Sequence, residues 1–111
     1  MDISRVHIGP SVLAADMSNL TSETISVIQS GADYIHLDVM DGHFVPNISF
    51  GPQVIKCLRG NIPNAVFDAH LMCSEPWKWI TPMQKAGVNI CTFHIESTSI
   101  DQTKNTIKMI K

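Results

Sequence analysis

Long apolar runs, cysteine pairs, glycine-rich phosphate loops and a strong charge of either sign are all missing from this chain of 111 residues. Each absence removes a class of function. The opening segment, MDISRVHIGP, contains no extended apolar stretch, so neither a secretory leader nor a membrane-spanning helix is expected. A formal net charge of -2 gives no electrostatic basis for binding nucleic acid or an anionic membrane. The 3 cysteines, Cys57, Cys73 and Cys91, are odd in number, widely spaced and free of any C-x-x-C. That pattern argues against a disulfide framework and for reduced, mostly buried thiols in a cytoplasmic protein. No G-x-G-x-x-G follows the first apolar segment, which removes the main signature of a dinucleotide-binding fold.

What is present is an ordinary globular composition, 44% hydrophobic and 16% charged, in a length that suits one domain spanning residues 1–111. Val6 to Leu13 reads as a short first strand interrupted by Gly9-Pro10, with Ser11 where the strand gives way to a loop. Asp16 and Ser18 are candidate caps for a helix whose apolar stripe is Leu20, Thr24, Val27 and Ile28, closed by Gly31. A second strand begins at Asp33. Pro52 then opens a helix with Val54, Cys57 and Leu58 as its apolar face, ended by Gly60. Ala65 to Met72 is a third strand. The next helix has Ser74 as its cap, Pro76 in its first turn, Trp77, Ile80 and Met83 facing inward, and a kink expected at Pro82. Asn89 to Glu96 is a fourth strand, and Ile100, Ile107 and Ile110 mark a final helix. The order βαβαβαβα implies a parallel sheet with right-handed crossovers. It fits either an open doubly wound sheet or the first four units of a (β/α)8 barrel, which typically takes about 250 residues.

Chemistry concentrates in Asp33 to Phe50, DYIHLDVMDGHFVPNISF. Alternation along a strand puts Tyr34, His36 and Asp38 on one face and Ile35, Leu37 and Val39 on the other. The third strand repeats the pattern, with Asp68, His70 and Met72 opposite Phe67, Ala69 and Leu71. In parallel α/β folds, ligands bind at the C-terminal strand ends, where His36, Asp38 and His70 fall. Two imidazoles and a carboxylate converging there suit a divalent metal with open positions for substrate. The same residues taken singly fit a hydrogen-bonded core, and His7 and His94 are read that way. Asp41-Gly42 is a turn pair whose aspartate supports the loop. Met40 and Met72 serve as core filler or as a cap on a bound substrate.

The segments IGPSVLAAD, GADYIHLDVMDGHFVPNISFG, FDAHLM and TFHIE, in that order from Ile8 to about Glu96, resemble the ribulose-phosphate 3-epimerase family. A related barrel group, orotidine-phosphate decarboxylase and hexulose-phosphate synthase, carries D-x-K where this chain has His36-x-Asp38. The resemblance implies a (β/α)8 barrel that interconverts D-ribulose 5-phosphate and D-xylulose 5-phosphate in the pentose phosphate pathway. It implies that His36, Asp38 and His70 are three of four protein ligands of one divalent metal: zinc, iron(II), manganese or cobalt. It makes Asp38 one of two acid/base aspartates, gives Ser11 and His70 substrate contacts, and matches Met40 and Met72 to methionines flanking the reacting carbons. It also implies a homo-oligomer.

The family pattern continues for about as many residues again. It assigns the second acid/base aspartate and the phosphate-binding loops to later strands, and Asp101, at a helix start, has the wrong context to replace them. The expectation is therefore the N-terminal half of such a barrel, in a truncated or partial product, with little or no epimerase activity from 111 residues alone. Unpaired strand edges would then favour aggregation or dimerisation. Two other functions fit the same motif. One is epimerisation of a hexulose phosphate such as allulose 6-phosphate, and the other is a non-catalytic half-barrel that pairs with a full-length subunit.

Overall fold

A computed structural model describes all of residues 1–111. Strands β1 (Ile35–Met40), β2 (Phe67–Met72) and β3 (Ile90–Phe93) form a parallel sheet in the order β1-β2-β3. Helices α1 (Leu20–Gln29), α2 (Pro52–Asn61), α3 (Ile80–Ala86) and α4 (Ile100–Ile110) precede, separate and follow the strands.

Alternation dictates the layering. Ile35, Leu37, Phe67, Ala69 and Leu71 are fully buried, and Val39 nearly so. They form one core with Leu20, Val27 and Ile28 of α1, Ile55 and Leu58 of α2, and Ile80, Met83 and Ala86 of α3. Each large apolar side chain removed from water there is worth about 1.5–3 kcal/mol. A register slip of one residue would place His36, Asp38, Asp68 and His70 in that core instead, so the register is strongly specified. The helices that share this core lie on one side of the sheet, whereas a doubly wound sheet is covered on both sides. Sequential strand order with one-sided cover is consistent with part of a (β/α) barrel.

Only three strands form, not the four expected. The segment at Val6–Leu13 runs beside β1, with His36 N–H donating to the Pro10 carbonyl at 3.0 Å and Val12 N–H to the His36 carbonyl at 3.2 Å. It is reduced to a single parallel bridge, Ser11 to His36. Pro10 has no N–H, so the ladder cannot propagate through it. Gly9 is the other constraint: a Cβ there would lie 2.0 Å from the Tyr34 ring. Gly9→Ala is expected to cost about 1–3 kcal/mol through overpacking, visible as a lower urea midpoint. An unchanged midpoint would show that Tyr34 can swing aside.

The helices refine the expected faces. Asp16, not Ser18, is the cap: its Oδ1 accepts from Ser18 N–H at 3.0 Å at the 3-10 turn Met17–Asn19 that leads into α1. Gly31, at φ 107, follows the end of α1 as expected. The buried stripe of α2 is Ile55 and Leu58, while Val54 and Cys57 are exposed. Pro82 produces no interior break, because it is the third residue of α3, where the backbone N–H has no intrahelical partner anyway. In α4 the fully buried residue is Thr106, whose hydroxyl donates to the Gln102 carbonyl at 2.7 Å, whereas Ile100 and Ile107 are exposed.

One side chain binds the N-terminal end of the sheet together. Arg59, in the last turn of α2, lies with its guanidinium 4.0 Å from the Phe67 ring centroid. It donates to the carbonyls of Ile62 (3.1 Å), Pro63 (3.2 Å), Ala65 (2.7 Å) and Gly87 (2.8 Å), and to Asn89 Oδ1 (2.7 Å). Asn89 Oδ1 also accepts from Phe67 N–H at 2.9 Å. Gly87, at φ 97, ends α3 and leaves room for Arg59, whose Cγ would lie 2.7 Å from a Cβ at that position.

Candidate metal centre and active site

The face of the sheet opposite the helices carries the polar residues in layers set by the register. His36 is paired with Asp68, Asp38 with His70, and Met40 with Met72. Thr92 of β3 stands beside His70. Neighbouring strands therefore deliver two residues to each layer, ascending toward the C-terminal strand ends.

Three atoms converge in the middle of this face. Asp38 Oδ1 lies 3.2 Å from His36 Nε2 and 3.0 Å from His70 Nδ1, and the two nitrogens are 3.4 Å apart. A single divalent ion makes bonds of about 2.0–2.2 Å to such donors, so at roughly tetrahedral or octahedral angles its ligand atoms stand about 3.0–3.5 Å apart. The triangle has that size, and its donor set of two imidazoles and a carboxylate could hold a metal ion. The other nitrogen of His36, Nδ1, lies 2.9 Å from Asp68 Oδ2. This is the carboxylate–histidine arrangement that orients metal-binding imidazoles. The second oxygen of Asp68 receives the Thr92 hydroxyl at 3.4 Å. Asp38 is buried, and Ser11 donates its hydroxyl to Asp38 Oδ2, fixing the carboxylate plane so that Oδ1 faces the histidines.

The loop after β1 closes over the strand ends through Asp41. Its Oδ1 accepts from the N–H groups of His43 and Phe44, each at 2.8 Å, and its Oδ2 from Ser74 N–H at 2.8 Å and the Ser74 hydroxyl at 3.2 Å. Ser74 is thus a tie between the β1 and β2 loops, not the helix cap expected. Burial pushes the Asp41 carboxyl up, but the donors of Ser74, His43 and Phe44 outweigh it and hold the pKa at about 2. Because the folded value lies below the ordinary one of about 4, this contribution to stability is complete above about pH 4 and is lost as pH falls toward 2. Asp41→Ala is expected to cost about 2 kcal/mol at neutral pH, with the deficit shrinking in urea titrations at acid pH. A pH-independent deficit would contradict the ionic origin.

The structure brings together Ser11, His36, Asp38 and His70 directly, and sets Met40 and Met72 side by side one layer above. Asn47 Nδ2 approaches Met40 Sδ at 3.6 Å. His7 is remote from this group, 3.8 Å from Asp33 at the opposite end of β1. Two further residues join that were not read as site residues from the sequence. Alternation alone puts Asp68 on the polar face, but its pairing with His36 exists only in the inter-strand register. From its position alone His94 reads as structural, yet its Nε2 lies 2.7 Å from His70 Nε2 with the two rings nearly end to end, their centroids 4.9 Å apart. Position just beyond β3 was its only signal. All three cysteines are free, and burial raises Cys73 and Cys91 to about 11, so these two are protonated thiols. No helix is long and apolar enough to cross a membrane.

The cluster sits in the middle of the strands and not at the C-terminal ends expected, since His36 is the second residue of β1 and Asp38 and His70 are the fourth of theirs. A parallel sheet with this histidine–carboxylate cluster on its polar face defines an α/β protein with a candidate metal site. Comparison with known proteins narrows this. The sequence profile described as the ribulose-phosphate 3 epimerase family matches residues 7–111. The chain is 42% identical over 114 residues to a ribulose-phosphate 3-epimerase of Eremothecium gossypii, covering 94% of this chain and 46% of that protein. It is 44% identical over 104 residues to the ribulose-phosphate 3-epimerase, cytoplasmic isoform, of Oryza sativa subsp. japonica, covering 94% and 45%. It is 42% identical over 106 residues to the ribulose-phosphate 3-epimerase of Bacillus subtilis, covering 96% and 48%. The chain belongs to the ribulose-phosphate 3 epimerase family. It spans about half the length of the curated relatives it matches.

Proposed function

We propose that this chain forms the metal-binding half of a (β/α)8-barrel site that epimerises D-ribulose 5-phosphate and D-xylulose 5-phosphate at C3. The observation that carries the reading is the triangle of His36 Nε2, Asp38 Oδ1 and His70 Nδ1, with sides of 3.0–3.4 Å. The names of the relatives favour a pentulose phosphate over a hexulose phosphate as substrate.

The C3 proton lies next to the C2 ketone, so its loss places negative charge on an enediolate. A divalent cation held by His36, Asp38 and His70 would supply Lewis-acid stabilisation of that charge. Asp38 Oδ2, the oxygen not shared with the histidines, is the proton acceptor, and the Ser11 hydroxyl keeps it in place. Asp68 holds the His36 ring so that Nε2 faces the triangle. Met40 and Met72 form an apolar wall one layer above the carboxylate, which limits water beside the planar intermediate.

Inversion requires a second acid on the opposite side of the enediolate. With Asp38 as the one base, exchange of the C3 hydrogen with solvent should outrun epimerisation. The test is proton NMR of D-ribulose 5-phosphate in D2O with the 111-residue chain and manganese or zinc. The expected result is loss of the C3–H signal faster than with metal alone, with little D-xylulose 5-phosphate formed. A chain that binds the metal by calorimetry yet leaves the exchange rate at the metal-only level would overturn Asp38 as the base.

A further inference from the structure

The two histidines of the triangle are not held alike. His36 is oriented by a carboxylate on its own sheet face, whereas the outer nitrogen of His70 meets no carboxylate. It meets His94 Nε2 at 2.7 Å, with the ring centroids 4.9 Å apart and the planes inclined by 26°. His94 is itself fixed from several sides. Its carbonyl accepts from Ser97 N–H at 3.2 Å and the Ser97 hydroxyl at 2.7 Å, in the 3-10 turn Ile95–Ser97 that ends β3. Its ring packs against Phe44 of the β1 loop at 5.1 Å, and its Nδ1 faces Glu96 Oε2 at 3.7 Å.

We infer that His94 is a positioning residue that fixes the tautomer and ring plane of His70. The inference rests on the reading of the triangle as a metal centre. A hydrogen bond between two imidazole nitrogens needs one protonated and one bare nitrogen. When His70 Nδ1 offers its lone pair to a cation, a neutral His70 carries its proton on Nε2, and His94 Nε2 accepts it. Neutral His94 then carries its own proton on Nδ1, directed toward Glu96. Without a cation, His70 Nδ1–H can donate to Asp38 Oδ1, and the hydrogen bond to His94 reverses. Loading the site therefore moves the proton between the two Nε2 atoms from His94 to His70. One proton leaves His70 Nδ1 to solvent and one arrives at His94 Nδ1, so neither ring changes its net charge.

This assigns β3 a part in the centre although it contributes no ligand. It also explains why a histidine that ends a strand meets another histidine end to end instead of turning to solvent.

The test uses the full 111-residue chain with His94→Phe, which keeps a ring but has no acceptor, and His94→Gln, which keeps an acceptor. Zinc affinity by calorimetry should fall roughly 10–100-fold in His94→Phe, the range seen when such partners are removed, and recover most of that in His94→Gln. Native affinity in both variants overturns the inference. Equal losses in both overturn it as well, since they mark a packing role. Nitrogen-15 NMR of labelled histidine reads the tautomer directly. In the metal-free state His70 should hold a single tautomer in the native chain and a mixture in His94→Phe. Should the native chain bind no zinc, the metal reading falls, and the inference about His94 is decided by that spectrum: an unchanged His70 tautomer in His94→Phe refutes it.

Discussion

Replacing Arg59 by leucine should destabilise the chain by about 3 kcal/mol or more, the largest single-residue effect on stability expected here. The side chain serves five acceptors on two connections: the carbonyls of Ile62, Pro63 and Ala65 between α2 and β2, and the Gly87 carbonyl and Asn89 side chain between α3 and β3. No carboxylate lies within salt-bridge range of it, so the loss is of hydrogen bonds from a charged donor, worth about 1.5–3 kcal/mol each before water replaces some of them. Burial lowers the guanidinium pKa. Arg59→Lys should recover only part of the loss, because one ammonium cannot span acceptors arranged around a planar fork. Thermal melts should show a fall of roughly 12 °C or more for the leucine variant. If Arg59→Lys melts within a degree of the native chain, the fork geometry is irrelevant and the argument fails.

Asp38→Asn should do the opposite. Divalent-metal affinity is expected to fall by more than about 100-fold, beyond the loss typical of an outer-sphere partner, and solvent exchange at C3 should stop. Fold stability should change by under about 1 kcal/mol, since an amide of the same shape still makes a hydrogen bond on each side, its oxygen accepting from His70 and its NH2 donating to the Ser11 hydroxyl oxygen. Asp38 Oδ1 is the one corner of the triangle within 3.2 Å of both imidazoles, and the one that brings negative charge. Calorimetric metal titration with urea denaturation of the same samples separates the two effects. Retained affinity would remove Asp38 from the centre, and a large stability loss would make its role structural.

The sequence revealed most where a two-residue period left no choice. β1 and β2 each alternate strictly, and the faces assigned to Ile35, Leu37, Phe67 and Ala69 are fully buried. What depends on relations between elements was less visible. The pairing of His36 with Asp68 is a register, and a register exists only once two strands lie together. His94 enters because the end of β3 reaches the level of the His70 ring. In α2, two adjacent apolar stripes compete, and packing against the sheet and α3 chose Ile55 over Val54. In α4, Thr106 satisfies its own hydroxyl and is buried, while the more apolar Ile100 is left outside. Pro10 showed that a strand-like run can be held by only one bridge.

Arg59 grips the sheet at the end where the strands begin, while the metal triangle lies mid-strand on the polar face. The two tasks are written in separate parts of the chain. Apart from the Asp41–Ser74 tie, substitutions in the loops above His70 and Met72 can be sampled in evolution or in the laboratory while the grip below keeps the scaffold standing. A chain arranged this way is a ready host for altered specificity, because innovations that spare the Asp41–Ser74 tie need not be accompanied by rescue of the fold.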